Sequence, residues 1–210
     1  MTTDAELRCR CGEVRGHVRG AAPETANHMF CYCDDCQAYL HHLGRTDLLD
    51  GHGGTDIVQV APAALSFDAG VDRIVGLRLT PRGLHRWYAS CCKTPVGNTF
   101  SVGLPFVGVV AQAFDNAGNR ASDVFGKAVG AAGHKSAVGG LPDGLERANL
   151  RLILRAVRLV AGWRLRGKTW PHPFFDRATR QPIRPVSVLS RAEREALRPL
   201  CGPHPAAPAS

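Results

Sequence analysis

Lysine is scarce in this chain of 210 residues, because the 26 lysine and arginine residues include only four lysines. Arginine therefore carries most of the formal net charge of +8. Such a charge favours anionic small molecules, nucleic acid or anionic surfaces as partners. The sequence also lacks both a strand of interleaved basic and aromatic residues and a helix-turn-helix pattern, so we expect no nucleic-acid partner.

Long apolar runs are missing as well. No uncharged apolar run reaches the roughly 18 residues that a membrane-spanning helix needs. Residues 1–6 are polar and are not followed by the apolar core of a secretory signal. The sequence therefore predicts a cytoplasmic protein, in a reducing compartment where cysteines rarely form disulfides. Metal ligation or thiol chemistry is the expected use of its eight cysteines.

Seven of those eight cysteines lie in three tight groups within the first 92 residues. The groups are Cys9 with Cys11, then Cys31 with Cys33 and Cys36, and finally Cys91 with Cys92. Thiols grouped in this way are typical ligands of a soft, tetrahedral metal ion, and zinc is the usual one. Gly12, directly after Cys11, allows the backbone to fold over a metal without a Cβ clash. Cys201 stands alone and is predicted to take no part.

The middle group joins a strand to a helix. Cys31 and Cys33 are two positions apart at a strand end, so their side chains share one face. Asp34 and Asp35 are expected to cap a helix that contains Cys36 in its first turn, where the helix dipole favours a thiolate. Three thiols leave one tetrahedral position open. The candidates for a fourth ligand are the histidines His28, His41 and His42, and also Cys91.

Short segments with turn signals between them predict a mainly antiparallel β domain over residues 1–130. The predicted strands are residues 7–18 as a strand pair or bent strand, 27–32, 57–60, 64–67, 74–79 and 84–88, with a last core segment at 106–114. Residues 93–98 are expected to form a turn and 115–140 an irregular segment. A helical extension over 141–200 and a disordered tail over 201–210 are expected to follow.

The extension is predicted to contain a helix over 145–165, opened by the capping-box pair Asp143 and Glu146. Arg147, Arg151, Arg155 and Arg158 form a basic stripe on this helix, opposite an apolar one of Leu150, Ile153, Leu154, Val157 and Val160. The favoured interpretation is that the apolar face packs on the sheet. The alternative is that the helix lies on an anionic membrane surface. Four aromatic residues are expected to support the packing, namely Trp163, Trp170, Phe174 and Phe175. A second capping box, Ser190 with Glu193, predicts a short helix to about residue 198.

The order of the three cysteine groups over residues 6–114 resembles the glutathione-dependent formaldehyde-activating enzymes, also called GFA or centromere-protein-V-like domains. The resemblance implies an Mss4-like fold, in which a pair of β-sheets is folded like a tent. It also implies a structural zinc at Cys9, Cys11 and Cys92, and a catalytic zinc at Cys31, Cys33 and Cys36. The chain departs from the family pattern at Ala89, where a cysteine is usual, and at Lys93, where glycine is usual. Cys91 is left either to replace the missing cysteine or to serve the middle site.

Two function hypotheses follow from this resemblance. The first is a zinc-dependent carbon–sulfur lyase or transferase that acts on an adduct of a small thiol such as glutathione. The second is a non-catalytic zinc module that binds a thiol ligand or a protein partner. An open middle site beside a concave basic pocket favours the enzyme, whereas a closed four-ligand site favours the module.

Overall fold

The computed structural model of the protein describes residues 3–115 and 120–203, and it is mainly β, as predicted. Eleven strands lie in these described residues: β1 (Thr3–Arg8), β2 (Arg15–Ala21), β3 (Asn27–Cys31), β4 (Thr55–Val60), β5 (Leu65–Ala69), β6 (Ile74–Arg78), β7 (His85–Ala89), β8 (Thr94–Thr99), β9 (Val107–Val110), β10 (Ala131–Ala132) and β11 (Val186–Val188). The small sheet has the order β1-β2-β5, and the large sheet has the order β10-β3-β4-β9-β8-β7-β6-β11. The predicted tail falls mostly on residues 204–210, outside the described residues.

The described helices are α1 (Asp34–Leu43), α2 (Ala121–Phe125), α3 (Leu150–Leu165) and α4 (Arg191–Leu197), with several short 3₁₀ turns between strands. Helix α1 ends at Gly44, which adopts the left-handed conformation that commonly follows a helix. The capping box of Ser190 and Glu193 is confirmed at the start of α4. None of the described helices is long and apolar enough to cross a membrane.

The pairing within the large sheet is antiparallel except at its two edges. There β10 runs parallel to β3, and β11 runs parallel to β6. Both edge strands come from the chain after residue 115, β10 from the segment predicted to be irregular and β11 from the predicted helical extension. The late part of the sequence thus completes the sheet that the early part builds.

Strand β8 corrects a prediction, since residues 93–98 were expected to turn the chain away. Pro95 lies opposite Tyr88, beside a break in register between β7 and β8, and such irregularities are where a strand accepts proline. Gly97 leaves room for an aromatic ring, because a Cβ there would lie 2.6 Å from the ring of Phe174. The two residues that suggested a turn are therefore used inside a buried strand.

The core between the sheets is closed by aromatic side chains from both ends of the chain. Trp87 of β7 is fully buried, and its ring stacks on Phe174 at a centroid distance of 4.8 Å and an interplanar angle of 2°. Phe175 meets Trp87 edge to face at 5.9 Å. Phe174 and Phe175 were expected to support the packing of the long helix on the sheet, but they pack on Trp87 of the core instead.

Helix α3 differs from its prediction in two ways. It begins at Leu150, and its first turn is capped by the Asn149 side chain, which accepts a hydrogen bond from the Leu152 N–H. The pair Asp143 and Glu146 lies before the helix. The expected packing of its apolar stripe on the sheet is wrong, because four of the five side chains are exposed, namely Leu150, Ile153, Leu154 and Val157.

Candidate metal centres

The first centre is a group of four thiols, one pair from each of two hairpin turns. Cys9 and Cys11 lie in the turn between β1 and β2, and Cys91 and Cys92 lie in the turn between β7 and β8. The Sγ atom of Cys91 is 3.9 Å from Sγ of Cys9 and 3.3 Å from Sγ of Cys11. The Sγ atoms of the vicinal pair are 3.9 Å apart. The structure thus answers the open question about Cys91, which joins the first and third cysteine groups.

Local backbone geometry explains how each turn presents two thiols. Gly12 has a φ of +80°, and its N–H donates to the Cys9 carbonyl, which closes the first turn tightly. In the second turn Lys93 has a φ of 58° and its N–H donates to the Ala89 carbonyl. The residues that depart from the family pattern, Ala89 and Lys93, therefore close the turn that directs Cys91 and Cys92 to one side.

The spacing of these thiols fits a tetrahedral metal ion. With Zn–S bonds of about 2.3 Å, neighbouring sulfurs of a tetrahedron lie about 3.8 Å apart. All four sulfurs here lie within 4.8 Å of one another. Burial raises the pKa of Cys9, and it also opposes ionisation of Cys92, where hydrogen bonds from Thr94 and the backbone outweigh it and lower the pKa to about 6. Thiols this close cannot all ionise without a compensating cation, which a metal ion supplies.

The second centre contains three thiols, as the sequence predicts. Cys31 ends β3, Cys33 occupies the N-cap position of α1, and Cys36 lies in the first turn of that helix. The Sγ of Cys31 is 3.3 Å from Sγ of Cys33 and 3.5 Å from Sγ of Cys36. Asp34 and Asp35 lie in the first turn instead of capping the helix, so the helix start is built around a thiol.

No fourth ligand joins this centre among residues 3–115 and 120–203. The Nε2 of His28 lies 2.7 Å from the Asp56 carboxylate, and its Nδ1 lies 2.6 Å from the Gly126 carbonyl oxygen, so both ring nitrogens are committed elsewhere. Neither His41 nor His42 belongs to the group of potential ligands. Cys91 lies in the other centre. Both thiol clusters could hold a metal ion, one with four ligands and the other with three.

A buried arginine that the sequence analysis did not single out lies against the three-thiol centre. Arg86 of β7 is only 1% exposed, and its Nη1 donates to Sγ of Cys36 at 3.8 Å. Its Nη2 lies 4.0 Å from the Asp35 carboxylate, and its guanidinium lies 5.1 Å from the ring centroid of Tyr39. An arginine within a strand ordinarily points to solvent, so composition and periodicity gave no signal for this contact.

Arg86 makes the three-thiol centre electrostatically different from the other one. Hydrogen bonds from Cys31 and Cys33 lower the pKa of Cys36, and the Arg86 charge adds to this against the effect of burial. Hydrogen bonds with Cys33 and Cys36 raise the pKa of Cys31. The buried guanidinium therefore favours the thiolate form of Cys36, the sulfur that it contacts.

A glycine beyond the predicted domain also contacts this centre. Gly133 packs so closely against Cys33 that a Cβ there would lie 2.5 Å from the Cys33 nitrogen, and its φ is +67°. In the adjacent residues of the same segment, the Ala132 carbonyl accepts a hydrogen bond from the Tyr32 N–H, and the Ser136 carbonyl accepts one from the Gln37 side chain. The chain around residue 133 thus covers one side of the three-thiol centre.

His28 provides a test of the strand that leads to this centre. Its two ring nitrogens face a carbonyl and a carboxylate, and a ring can donate to both acceptors only when it is protonated. Burial opposes the charge, but the hydrogen bond to Asp56, the charge of that carboxylate and the hydrogen bond to the Gly126 carbonyl together outweigh it and raise the pKa of His28. The stabilisation is therefore complete below the ordinary pKa of about 6.5 and is lost as the pH rises through the raised value.

We expect His28→Gln to lower the free energy of unfolding by about 1–3 kcal/mol at pH 6, and by less at pH 9. Urea unfolding of the wild type and the variant across this pH range measures the difference in free energy of unfolding. Because both proteins contain the same cysteines, pH effects on the cysteines cancel in this difference. An Asp56→Asn variant should remove the same pH-dependent part. Parallel stability curves for the wild type and His28→Gln would show that the ring is neutral in the folded protein.

The fold and its thiol clusters define a mainly β protein with two potential metal centres. The chain belongs to a family of unknown function, DUF6151, whose sequence model matches residues 1–186. A search of curated proteins gives no match. A crystal structure of a Rhodobacter sphaeroides protein is similar at 15% identity and a TM-score of 0.39, over 53% of this chain and 89% of that one. A likeness of that degree carries no argument about function.

Proposed function

We propose that the protein is a zinc-dependent enzyme of the carbon–sulfur lyase or transferase type, acting on an adduct of a glutathione-like thiol. The observation that carries this proposal is the difference between the two centres. Four thiols at the first centre complete the usual coordination of a structural zinc, whereas three thiols at the second leave one position for a substrate.

The resemblance to the GFA family supports the same assignment. The three cysteine groups follow one another in that family's order, and the structure has a pair of sheets with the three-thiol group at the end of β3. We therefore extend the proposal to an Mss4-like architecture, with Cys9, Cys11, Cys91 and Cys92 at the structural zinc. Cys31, Cys33 and Cys36 are proposed as the ligands of a catalytic zinc.

Zinc bound by the three thiols would supply Lewis acidity that favours the ionised form of a substrate thiol. The residues of the chain then determine how much negative charge the site accepts. Three thiolates around a divalent cation leave one net negative charge, and the buried guanidinium of Arg86 compensates it from 3.8 Å. Arg86 is thus proposed as a positioning residue that allows an anionic thiolate to approach.

A non-catalytic zinc module is the second candidate, and one observation favours it. The cleft of about 1530 Å³ in the structure lies between α3 and the strands β2 and β4, and none of the three cysteines lines it. In such a module the three-thiol centre would bind a thiol ligand or a cysteine of a partner protein without chemistry. Both candidates require that a thiol reaches the open position, so thiol binding is tested first.

We expect Cys33→Ser to lose about one zinc per chain and to lose binding of glutathione, while most of the fold is kept. The reason is that Cys33 serves only the three-thiol centre, and the four-thiol centre lies in other turns. Metal analysis and calorimetric titration with glutathione measure both effects. Cys201→Ser is the matched control, since Cys201 is a buried cysteine outside both clusters.

The outcomes separate the candidates. Binding of glutathione by the wild type and turnover of its formaldehyde adduct support the enzyme, whereas binding without turnover supports the module. If the wild type binds no thiol at millimolar concentration, or Cys33→Ser binds glutathione equally well, the open position is not a thiol site and both candidates fail.

A further inference from the structure

Helix α3 exposes a continuous stripe of large apolar side chains. The exposed fractions are 71% for Leu150, 52% for Ile153, 51% for Leu154, 57% for Val157 and 88% for Leu165. Their spacing of three or four residues places the first four on one face of the helix. Eleven large apolar side chains are exposed in the described part of the chain, and five of them lie on this helix of 16 residues. Such concentration marks an interaction surface, not scattered surface residues.

The opposite face of α3 already has its contacts. Trp163 is buried, and Arg155 donates to the backbone carbonyls of Pro23 and Ala26. The helix is therefore fixed to the domain through one side, while its apolar stripe remains exposed. Rotation of the helix to bury the stripe would break these contacts, so the partner of the stripe must come from outside the described residues.

The charge of the helix indicates the kind of partner. The helix carries Arg151, Arg155, Arg158 and Arg164 but no acidic residue. Arg151 and Arg158 lie beside the apolar stripe, are exposed, and form no ion pair within 4.0 Å among the described residues. An apolar stripe with arginines along its flank matches a surface that is apolar inside and anionic at its boundary.

We propose that α3 binds the surface of an anionic phospholipid bilayer, with the apolar stripe inserted among the acyl chains and the flanking arginines at the headgroups. A second copy of this chain fits less well. Two α3 helices packed through their stripes would bring the arginines of both copies together with no acidic residue on either helix, and such like-charge contacts are destabilising.

The cleft beside α3 also combines apolar and basic side chains. Its lining includes apolar side chains, among them Val18 and Val60 on the sheet side and Leu154 on the helix side. Six basic and two acidic side chains also line it. Since Leu154 belongs both to the cleft and to the exposed stripe, the cleft opens next to the proposed membrane face. An anionic lipid at the bilayer surface thus meets an apolar groove with a basic rim.

The length of helix α3 indicates how it is oriented relative to the bilayer. Sixteen residues span about 24 Å, less than the roughly 30 Å of a bilayer core. The arginines along one flank would also have to enter that core if the helix crossed it. The helix is therefore expected to lie in the plane of the interface.

Co-sedimentation of the full-length protein with vesicles tests the proposal. We expect the protein to bind vesicles that contain phosphatidylglycerol, to bind far less to vesicles of phosphatidylcholine alone, and to be released as ionic strength rises. This comparison uses the unaltered protein and does not depend on any variant. Equal distribution between the two vesicle types, or no binding to either at low salt, overturns the proposal.

Two sets of variants separate the apolar and charged contributions. The double variant Ile153→Gln with Val157→Gln should weaken vesicle binding about tenfold or more. Arg151→Gln and Arg158→Gln should each weaken it about fivefold. The matched control is Ile183→Gln with Leu200→Gln, which removes two exposed apolar side chains away from α3 and should leave binding unchanged. Melting temperatures verify that each variant is folded.

A measurement of the oligomeric state tests directly whether a second copy of this chain covers the apolar stripe. The proposal predicts that the mass of the protein in solution is unaffected by Ile153→Gln with Val157→Gln. A dimer that dissociates on this double substitution would show that the stripe is covered by another copy, and the membrane proposal would then be wrong. Vesicle binding that survives the double substitution would exclude the stripe as the contact.

Discussion

Replacing Cys9 by serine is expected to unfold the β domain and to release the metal ion proposed at the four-thiol centre. Cys9 belongs to the turn between β1 and β2, and Cys91 and Cys92 of the same cluster belong to a turn more than 80 residues later in the chain. A metal held by the four thiols therefore joins the small sheet to the large one. In structural zinc sites the binding free energy, about 10–16 kcal/mol, is part of the folding free energy.

The expected loss exceeds the stability of many domains, which is about 5–15 kcal/mol. Thermal unfolding and metal analysis of the purified Cys9→Ser protein measure it, and Cys92→Ser should behave in the same way. Cys201→Ser controls for the loss of a buried thiol, since its Sγ only donates to the Leu197 carbonyl. A Cys9→Ser protein with the wild-type melting temperature and metal content would contradict the structural role of this centre.

Replacing Phe174 by alanine is expected to lower the free energy of unfolding by about 3–5 kcal/mol. The ring is 1% exposed and lies between Trp87, at 4.8 Å, and Phe67, at 5.6 Å. It also fills the space left by Gly97 in β8. Removing it opens a cavity between the sheets that the rigid strands cannot close.

For a chain of this size the loss corresponds to a fall of roughly 6–20 °C in melting temperature. Leu165→Ala is the control, because Leu165 is also a large apolar residue of the late part of the chain but is 88% exposed. Its effect should stay within about 0.5 kcal/mol. If the two variants are equally stable, the segment that carries Phe174 is not part of the core.

Several elements of this protein could be predicted from the sequence because their signals are local. The alternation of apolar residues indicated the strand pair of β1 and β2 and the later strands β3 to β7. The spacing of Ser190 and Glu193 indicated the start of α4, which a capping box confirms. The same holds for the three thiols around Cys33, since the strand end and first helical turn that bring them together lie within six residues.

Other features depended on contacts between distant parts of the chain. The choice of Asn149 over Asp143 as the cap of α3 followed from the chain before the helix, where Ala131 and Ala148 are joined by a backbone hydrogen bond. Strand β8 contains a proline and a glycine, and only its position between β7 and β9 makes it a strand. The exposure of the α3 stripe depends on which face meets the domain, and both faces carry apolar residues.

The sequence by itself determined which residues can bind metal, because cysteine pairs at short spacing are typical ligands of a soft metal ion. Only the tertiary structure decided how these cysteines are divided between the two centres. The direction of the vicinal thiols Cys91 and Cys92 depends on the turn closed at Ala89 and Lys93, and the burial of Arg86 depends on the helix α1 that covers it. One centre has four thiols, and the other has three thiols and a guanidinium. Both arise from the packing of two hairpins and a helix that lie far apart in the sequence, so no local sequence pattern could predict them.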